Sequence, residues 1–458
     1  MKPDEFRRVG HEVIDWIADY RERIETFPVL SPVAPGWVRD HLAPLPEQPE
    51  HGFDGLLHDL DTVVLPGTTH WQHPSFFAYF PSNASLPSVL GDLLSTGLGV
   101  QGMLWATSPA ATELEQHLMA ELAKAMALPD HFEGVIQDTA SSAALVAVLT
   151  ALHRHGDDWR NKGVRGDEVV YVSGQTHSSL AKATRIVGLG EDNLRSIEVD
   201  PDTLAMNADA LAAQVARDRA DGLRPILVCA SIGTTSTGAV DPVEAIADLC
   251  AAEDLWLHVD AAWAGPAALL PEHRHLFAGV ERADSFGANA HKWLLTAFDL
   301  SLYWTAHPDT LVQALTILPE YLRNDATESG AVVDFRDWQV PLGRRFRALK
   351  LWAVVRWYGL EGLRQHLRGH IALAEALEAK VEHSRDWLTA APRSLALLTI
   401  RHRDGDQATR DALLRINASG EAYVTHTVVN GHFAIRVAIG SETTEARHVD
   451  ALWNRLEA

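Results

Sequence analysis

Phe6, Val9, Val13, Ile17, Tyr20 and Ile24 recur three or four residues apart, the spacing of an amphipathic helix with one face to bury. Pro28, Pro32, Pro35, Pro44, Pro46 and Pro49 then punctuate an extended passage. A helix this far from the first plausible sheet segment needs a cover, and a partner subunit is a candidate for it. From about residue 110 the pattern alternates. Ala111 to Ala127 and Ser141 to His155 read as helices. Glu168–Val172, Pro225–Ala230 and Leu255–Ala261 read as short β-rich runs. Asp241-Pro242 offers an N-cap followed by proline for a helix between the last two runs. Continuous apolar strands separated by helices predict a parallel sheet covered on both faces, with ligands at the carboxyl ends of its strands.

Beyond Arg347 the pattern changes. Leu349 to Tyr358 and Glu361 to Val381 predict long helices, Ala396–Ile400, Tyr423–Val428 and His432–Ala438 predict strands, and Thr443 to Leu456 predicts a last helix. The expected division is an N-terminal helical segment over 1–85, a large α/β domain over 86–347 and a small α+β domain over 348–458.

The length of 458 residues allows several domains with a buried core, and 47% hydrophobic with 22% charged residues is a globular composition. A net charge of −22 argues against a nucleic-acid partner, which needs a basic surface. No apolar stretch is long enough to cross a bilayer. The charged start, with Asp4, Glu5, Arg7, Arg8 and Glu12, is unlike a signal peptide. Two cysteines, Cys229 and Cys250, exclude a disulfide scaffold and fit a reducing cytoplasm.

Candidate chemistry concentrates in a few places. Lys292, in Asn289-Ala290-His291-Lys292-Trp293, lies between the apolar run around Phe286 and Trp293-Leu294-Leu295. Desolvation there would lower its pKa and suit Schiff-base chemistry, although a lysine with its head in solvent is the plainer reading. Asp260 sits in Leu257-His258-Val259-Asp260-Ala261-Ala262, where a buried carboxylate needs a partner. The ring nitrogen of pyridoxal phosphate is such a partner, and a turn cap is the alternative. Asp138-Thr139-Ala140-Ser141-Ser142 opens a helix after Gly134-Val135-Ile136, as a phosphate site or as a plain N-cap. Beside a phosphate, Asp138 would have to point away. His177 follows the strand ending at Val172, where an imidazole can stack on an aromatic cofactor or stand as polar surface.

Other motifs fail on context. Gly97-Leu98-Gly99-Val100-Gln101-Gly102 follows a helix-like stretch, Ser88–Leu94, rather than a strand, so it is no dinucleotide fingerprint. The histidine pairs 153/155 and 273/275 lack a third ligand, so no metal is expected. Asn83-Ala84-Ser85 and Asn417-Ala418-Ser419 match a glycosylation sequon that has no meaning in a cytoplasmic chain.

Taken with Glu5-Phe6-Arg7-Arg8, Thr69-His70-Trp71-Gln72-His73-Pro74-Ser75-Phe76-Phe77-Ala78-Tyr79-Phe80-Pro81, Ser108-Pro109-Ala110-Ala111-Thr112-Glu113-Leu114-Glu115 and Pro341-Leu342-Gly343-Arg344-Arg345-Phe346-Arg347, these stretches resemble the aromatic-L-amino-acid decarboxylase family, the group II pyridoxal-phosphate decarboxylases. The resemblance covers nearly the whole chain. It implies an α/β fold of the type I pyridoxal-phosphate (aspartate aminotransferase-like) kind, in a homodimer with shared active sites and N-terminal helices packed on the partner. It implies that Lys292 binds pyridoxal 5'-phosphate, that Asp260 pairs with the ring nitrogen, that His177 stacks over the ring and that Ala262 packs beneath it. Thr139, Ala140, Ser141, Asn289 and His291 match phosphate-binding positions, and Thr235 matches one near the cofactor. Trp71, Tyr79, Phe80, Pro81 and His291 match the substrate side. Tyr321 matches a loop tyrosine that protonates Cα in decarboxylases, where relatives with phenylalanine tend towards aldehyde formation. The loop from Leu322 to Val333 reads as a lid.

The departures bear on substrate. Asp138-Thr139 replaces a Gly-Ser type pair, and Gly174 replaces an acidic residue. Gln101 and Met103 stand where larger apolar residues of the neighbouring subunit line the substrate pocket. Gly343 matches a position where glycine goes with indole substrates. The resemblance implies decarboxylation of tryptophan, tyrosine, phenylalanine or DOPA to the amine. Aldehyde synthesis, or a non-aromatic substrate such as histidine, is the alternative.

Overall fold

The computed structural model describes residues 1–48, 52–156, 158–317, 325–328 and 330–458. Its central strands are β1 (Glu133–Gln137), β2 (Glu168–Ser173), β3 (Leu194–Ile197), β4 (Arg224–Ser231), β5 (Trp256–Asp260), β6 (Ser285–Asn289) and β7 (Ser301–Thr305). They form one sheet in the order β1-β7-β6-β5-β4-β2-β3. The run from β6 through β5, β4 and β2 to β3 is parallel, whereas β7 is antiparallel to both β6 and β1. Every residue of β2 and of β7 is buried, as expected of strands covered on both faces.

Asp241 does not cap the following helix. Pro242 occupies the N-cap of Val243–Glu253, and the buried Asp241 carboxylate instead accepts the N–H groups of Met206 and Ser231, each at 2.7 Å. Burial raises its pKa to about 6.

The region expected to hold two helices does so: the span Ala348–His383 is interrupted at Gly359, whose backbone (φ 63°, ψ 169°) is not helical. A positive φ of this kind suits glycine, and it ends one helical run and starts the next. A second, antiparallel sheet follows, built from β8 (Trp387–Thr389), β9 (Leu397–His402), β10 (Thr425–Val429) and β11 (His432–Ala438) in the order β10-β11-β9-β8. Asn430 and Gly431, both with positive φ, make the two-residue turn of the β10–β11 hairpin.

The segment before the large sheet is stitched onto this smaller one. Phe77 donates its N–H to Tyr423 O (2.9 Å) and accepts from Ala438 N–H (3.0 Å), and Ser75 O accepts from Tyr423 N–H (3.1 Å). The N-terminal helix Pro3–Glu22 is anchored to its own chain at its end, through Tyr20 Oη to His70 Nδ1 (3.0 Å) and Arg21 to Glu442 (3.1 Å). Phe6 near its start is exposed, as are Leu90, Leu94 and Leu98 along the helix Leu86–Leu98. Among the described residues, no helix is long and apolar enough to cross a membrane.

Candidate active site

The carboxyl edge of the large sheet brings Ser231, Asp260 and Gly287 side by side on β4, β5 and β6. One oxygen of Asp260 accepts Ala262 N–H at 2.9 Å, so the carboxylate does cap its turn. It also opens into a cleft that it shares with Lys292, His177, Ala140, Thr235 and Ala262.

Lys292 lies on a single helical turn, Ala290–Trp293, that continues β6. That turn is tied down on each side. Asn289 N–H donates to Ala262 O (2.9 Å), Asn289 Oδ1 accepts from Ser301 Oγ (2.7 Å), and His291 Nδ1 accepts Leu300 N–H (3.0 Å). Burial pulls the Lys292 amine down to about 8, against the opposing pull of Asp260. The amine stands 5.4 Å from the centre of the Phe80 ring. His177 stands at the mouth of the cleft with Nδ1 accepting Ser179 N–H (3.1 Å), which leaves the proton on Nε2. Burial by the surrounding atoms lowers its pKa, Asp260 opposes that shift and Lys292 adds to it.

Ala140 and Ser141 open the helix Ala140–His155, where leading N–H groups have no acceptor within the helix. The Asp138 carboxylate lines neither the cleft nor the cavity and takes the N–H (2.5 Å) and the hydroxyl (3.3 Å) of Thr139. Thr139 therefore spends its donors internally, whereas the N–H groups of Ala140 and Ser141 have no acceptor within the helix.

In front of Lys292 a wider cavity of about 410 Å³ is walled by Trp71, Tyr79, Phe80, Phe298 and His291. Trp71 and Tyr79 stack with ring centres 5.7 Å apart. Burial pushes His291 down to about 3, so its ring is neutral. Pro81 packs against Gly440 and is not part of the wall. Gln101, Met103 and Gly343 also lie outside it. Gln101 accepts Arg344 N–H (2.5 Å) and sits beside Gly343, while Met103 O accepts Arg336 N–H (3.0 Å). Tyr321 lies outside the described residues, as do Leu322, Arg323, Asn324 and Ser329 of the expected lid.

The opposite wall was missed. Thr425, His426 and Thr427 of β10 and Arg436 of β11 line the cavity. Arg436 donates to Tyr79 O and to Thr235 O (2.6 Å) and lies 4.4 Å from the Phe80 ring centre. Its Nη2 has no partner among the described residues. Burial lowers it to about 9, which still leaves a cation at neutral pH. Tyr79 keeps an unusual φ of 48°, with its carbonyl held by this guanidinium. Asn83 was also missed. Its side-chain N–H groups donate to Lys292 O (2.5 Å) and Gly440 O (2.8 Å), and its Oδ1 accepts Glu442 N–H (2.9 Å).

A depressed-pKa lysine, an aspartate and a helix N-terminus meet in one narrow cleft roofed by an imidazole. Ala262 has too small a side chain to fill that cleft, so a flat phosphorylated aldehyde fits it. These features define an enzyme that works through a carbonyl cofactor held on a lysine. The comparisons carry this to a family. The conserved domain of pyridoxal-dependent decarboxylases matches residues 35–402, and the chain belongs to that family. It is a pyridoxal-phosphate-dependent amino-acid decarboxylase.

Among the similar proteins is tryptophan decarboxylase 2 of Oryza sativa subsp. japonica, 43% identical, with 100% of this chain and 94% of that protein covered. Phenylacetaldehyde synthase of Arabidopsis thaliana is 44% identical, covering 100% and 96%. The crystal structure of Oryza sativa TDC with PLP and tryptamine superposes with a TM-score of 0.97 at 39% identity, covering 100% and 98%.

Proposed function

We propose that the chain decarboxylates an aromatic L-amino acid, releasing the amine and carbon dioxide. The observation that carries this reading is the aromatic wall of Trp71, Tyr79, Phe80 and Phe298 directly in front of Lys292, a surface made for a flat ring. When bound, pyridoxal phosphate supplies an electron sink for the pair left at Cα as the carboxylate departs. Asp260 would hold a proton on the ring nitrogen, which is what would make the sink deep. His177 would cover one face of the ring and Ala262 would leave room at the other. Lys292, its amine lowered to about 8 so that a usable fraction is free base near neutral pH, would be the residue that holds the cofactor. Ala140 and Ser141 would hold the phosphate through their main-chain N–H groups. Arg436 brings a fixed positive charge to the cavity wall, where it would draw the substrate carboxylate.

The proton delivered to Cα decides between amine and aldehyde. By resemblance Tyr321 delivers it, and that favours the amine. A specific observation keeps aldehyde synthesis as the second reading, namely the 44% identity to a phenylacetaldehyde synthase.

The working form in this reading is a homodimer. It is supported by the exposed leucines of Leu86–Leu98 and by the position of Gln101, Met103 and Gly343 outside their own chain's cavity. A cytoplasmic location is supported by two buried, unpaired thiols.

The experiment is product analysis of the cofactor-loaded enzyme with each of the twenty amino acids, scoring carbon dioxide, amine, aldehyde and peroxide. Amine from aromatic substrates alone supports the proposal. Aldehyde with peroxide moves it to the second reading, and turnover of non-aromatic substrates only would refute both.

A further inference from the structure

The residue after Lys292 is a buried tryptophan, and the indole N–H of Trp293 donates to His370 Nδ1 at 3.0 Å. His370 lies on the helix Ala348–His383 and lines neither the cleft nor the cavity. The Trp293 ring stacks on Trp263 (centres 5.1 Å apart, planes 18° apart), and Trp263 stacks on Phe80 (4.4 Å, 15°). Phe80 is the ring beside the Lys292 amine. A circuit of contacts thus leaves Lys292 through its chain neighbour and returns to its Nζ.

Two of these links are ring stacks, which tolerate sliding and in-plane rotation. The hydrogen bond to His370 is directional, and an indole has a single donor to give. A buried N–H that lost this acceptor would turn to find another, carrying the stack with it.

We propose that His370 is a positioning residue for the cofactor lysine, fixing through Trp293 and the Trp263–Phe80 stack the surface on which the Lys292 amine rests. The proposal rests on the reading of Lys292 as the cofactor lysine. Because Nδ1 accepts, the His370 proton is on Nε2, where the Ser441 backbone receives it. His366 packs edge-on against the ring, with centres 4.2 Å apart. Burial holds both imidazoles neutral, His366 at about 4 and His370 well below its ordinary value. The Nδ1 lone pair therefore stays available throughout the working pH range.

The test compares His370→Leu, which removes the acceptor, with His370→Gln, which keeps one. Lys292 in the full chain freed of cofactor is labelled with an amine-acylating reagent across pH and quantified by peptide mass spectrometry. This readout needs neither cofactor nor substrate, so its outcome is separate from that of the decarboxylase reading.

For His370→Leu, the midpoint of labelling is expected to rise by about one pH unit as water reaches a looser amine. In the loaded enzyme kcat is expected to fall on the order of ten-fold with KM little changed, as misplacement of a reacting group predicts. His370→Gln restores both. Trp293→Phe, which keeps a ring in the stack and deletes the N–H, shifts the midpoint the same way, and His370→Leu adds little on top of it. An unchanged or lower midpoint in His370→Leu, with only the melting temperature reduced, overturns the proposal. If His370→Leu does not fold, Trp293→Phe carries the test, and an unshifted midpoint there overturns it equally.

Discussion

Glu115 and Arg344 form an ion pair that is almost wholly enclosed, with 1% and 2% of their side chains exposed. Both carboxylate oxygens meet the guanidinium at 2.5 Å. The pair also satisfies a strand end, since Glu115 accepts Ile136 N–H (2.7 Å) and Arg344 donates to Ile136 O (2.6 Å). Ile136 belongs to β1, which leads directly into Asp138, Thr139 and Ala140, so the pair braces the start of the helix Ala140–His155. Glu115→Leu leaves the arginine charge buried without its counter-charge, and the expected cost is about 3–5 kcal/mol. Arg344→Met strands the carboxylate and costs a similar amount. The double variant Glu115→Leu/Arg344→Met removes both charges but orphans the Ile136 N–H and C=O, each costing about 1–3 kcal/mol. It should therefore stay less stable than wild type and yet lose clearly less than the two single losses added together. Urea unfolding of the four proteins, loaded with cofactor and freed of it, measures the coupling. Single losses that simply add, to within about 0.5 kcal/mol, would show that the pair does not act as a unit and would refute the reasoning.

Three further outcomes follow from the site. With its amine at about 8, Lys292 should capture cofactor about tenfold faster per pH unit up to that value and level off above it, read by stopped-flow absorbance. An ordinary lysine would keep accelerating past pH 10, and Asp260→Asn, lacking the carboxylate that favours the ammonium, should move the break to lower pH. Asn83→Ala frees the carbonyls of Lys292 and Gly440 at once, so cofactor should dissociate faster in dialysis, and wild-type retention would count against its bracing role. Tyr321→Phe should give less amine and more aldehyde in chromatographic product analysis, and an unchanged ratio would remove Tyr321 from the protonation step.

The candidate chemistry was legible because it breaks local rules. A lysine and an aspartate inside apolar runs cost too much to be there for packing alone, and the structure brings both to one cleft. Arg436 breaks no local rule. Between Ile435 and Val437 it reads as the outward residue of an alternating strand, yet β11 turns it towards Tyr79, more than three hundred residues earlier. Asn83 carried a sequon as its only signal, and its three-way bracket depends on Lys292, Gly440 and Glu442 arriving from distant segments. The order of the sheet was equally hidden, because β7 is a five-residue run inserted antiparallel between β6 and β1. Periodicity reports which residues want burial, whereas strand order follows from which crossovers close.

The net charge of −22 and the needs of the site pull in opposite directions. The cofactor carries a phosphate, and at low ionic strength, about 0.01 M, the field of the whole acidic chain reaches roughly 30 Å and repels it. At about 0.15 M that reach shrinks to roughly 8 Å, and an approaching anion then feels chiefly what lines the cleft. There Lys292, Arg436 and the N-terminal end of Ala140–His155 face Asp260, which leaves the local balance attractive. Capture of cofactor should therefore speed up as salt is raised over this range, the reverse of ordinary attraction between an anion and a cationic site. The measurement is the stopped-flow capture rate against sodium chloride at fixed pH. A rate that falls with salt would mean that the cleft's own cations govern the approach from the start, and the far field of the acidic surface would then have no part in cofactor binding.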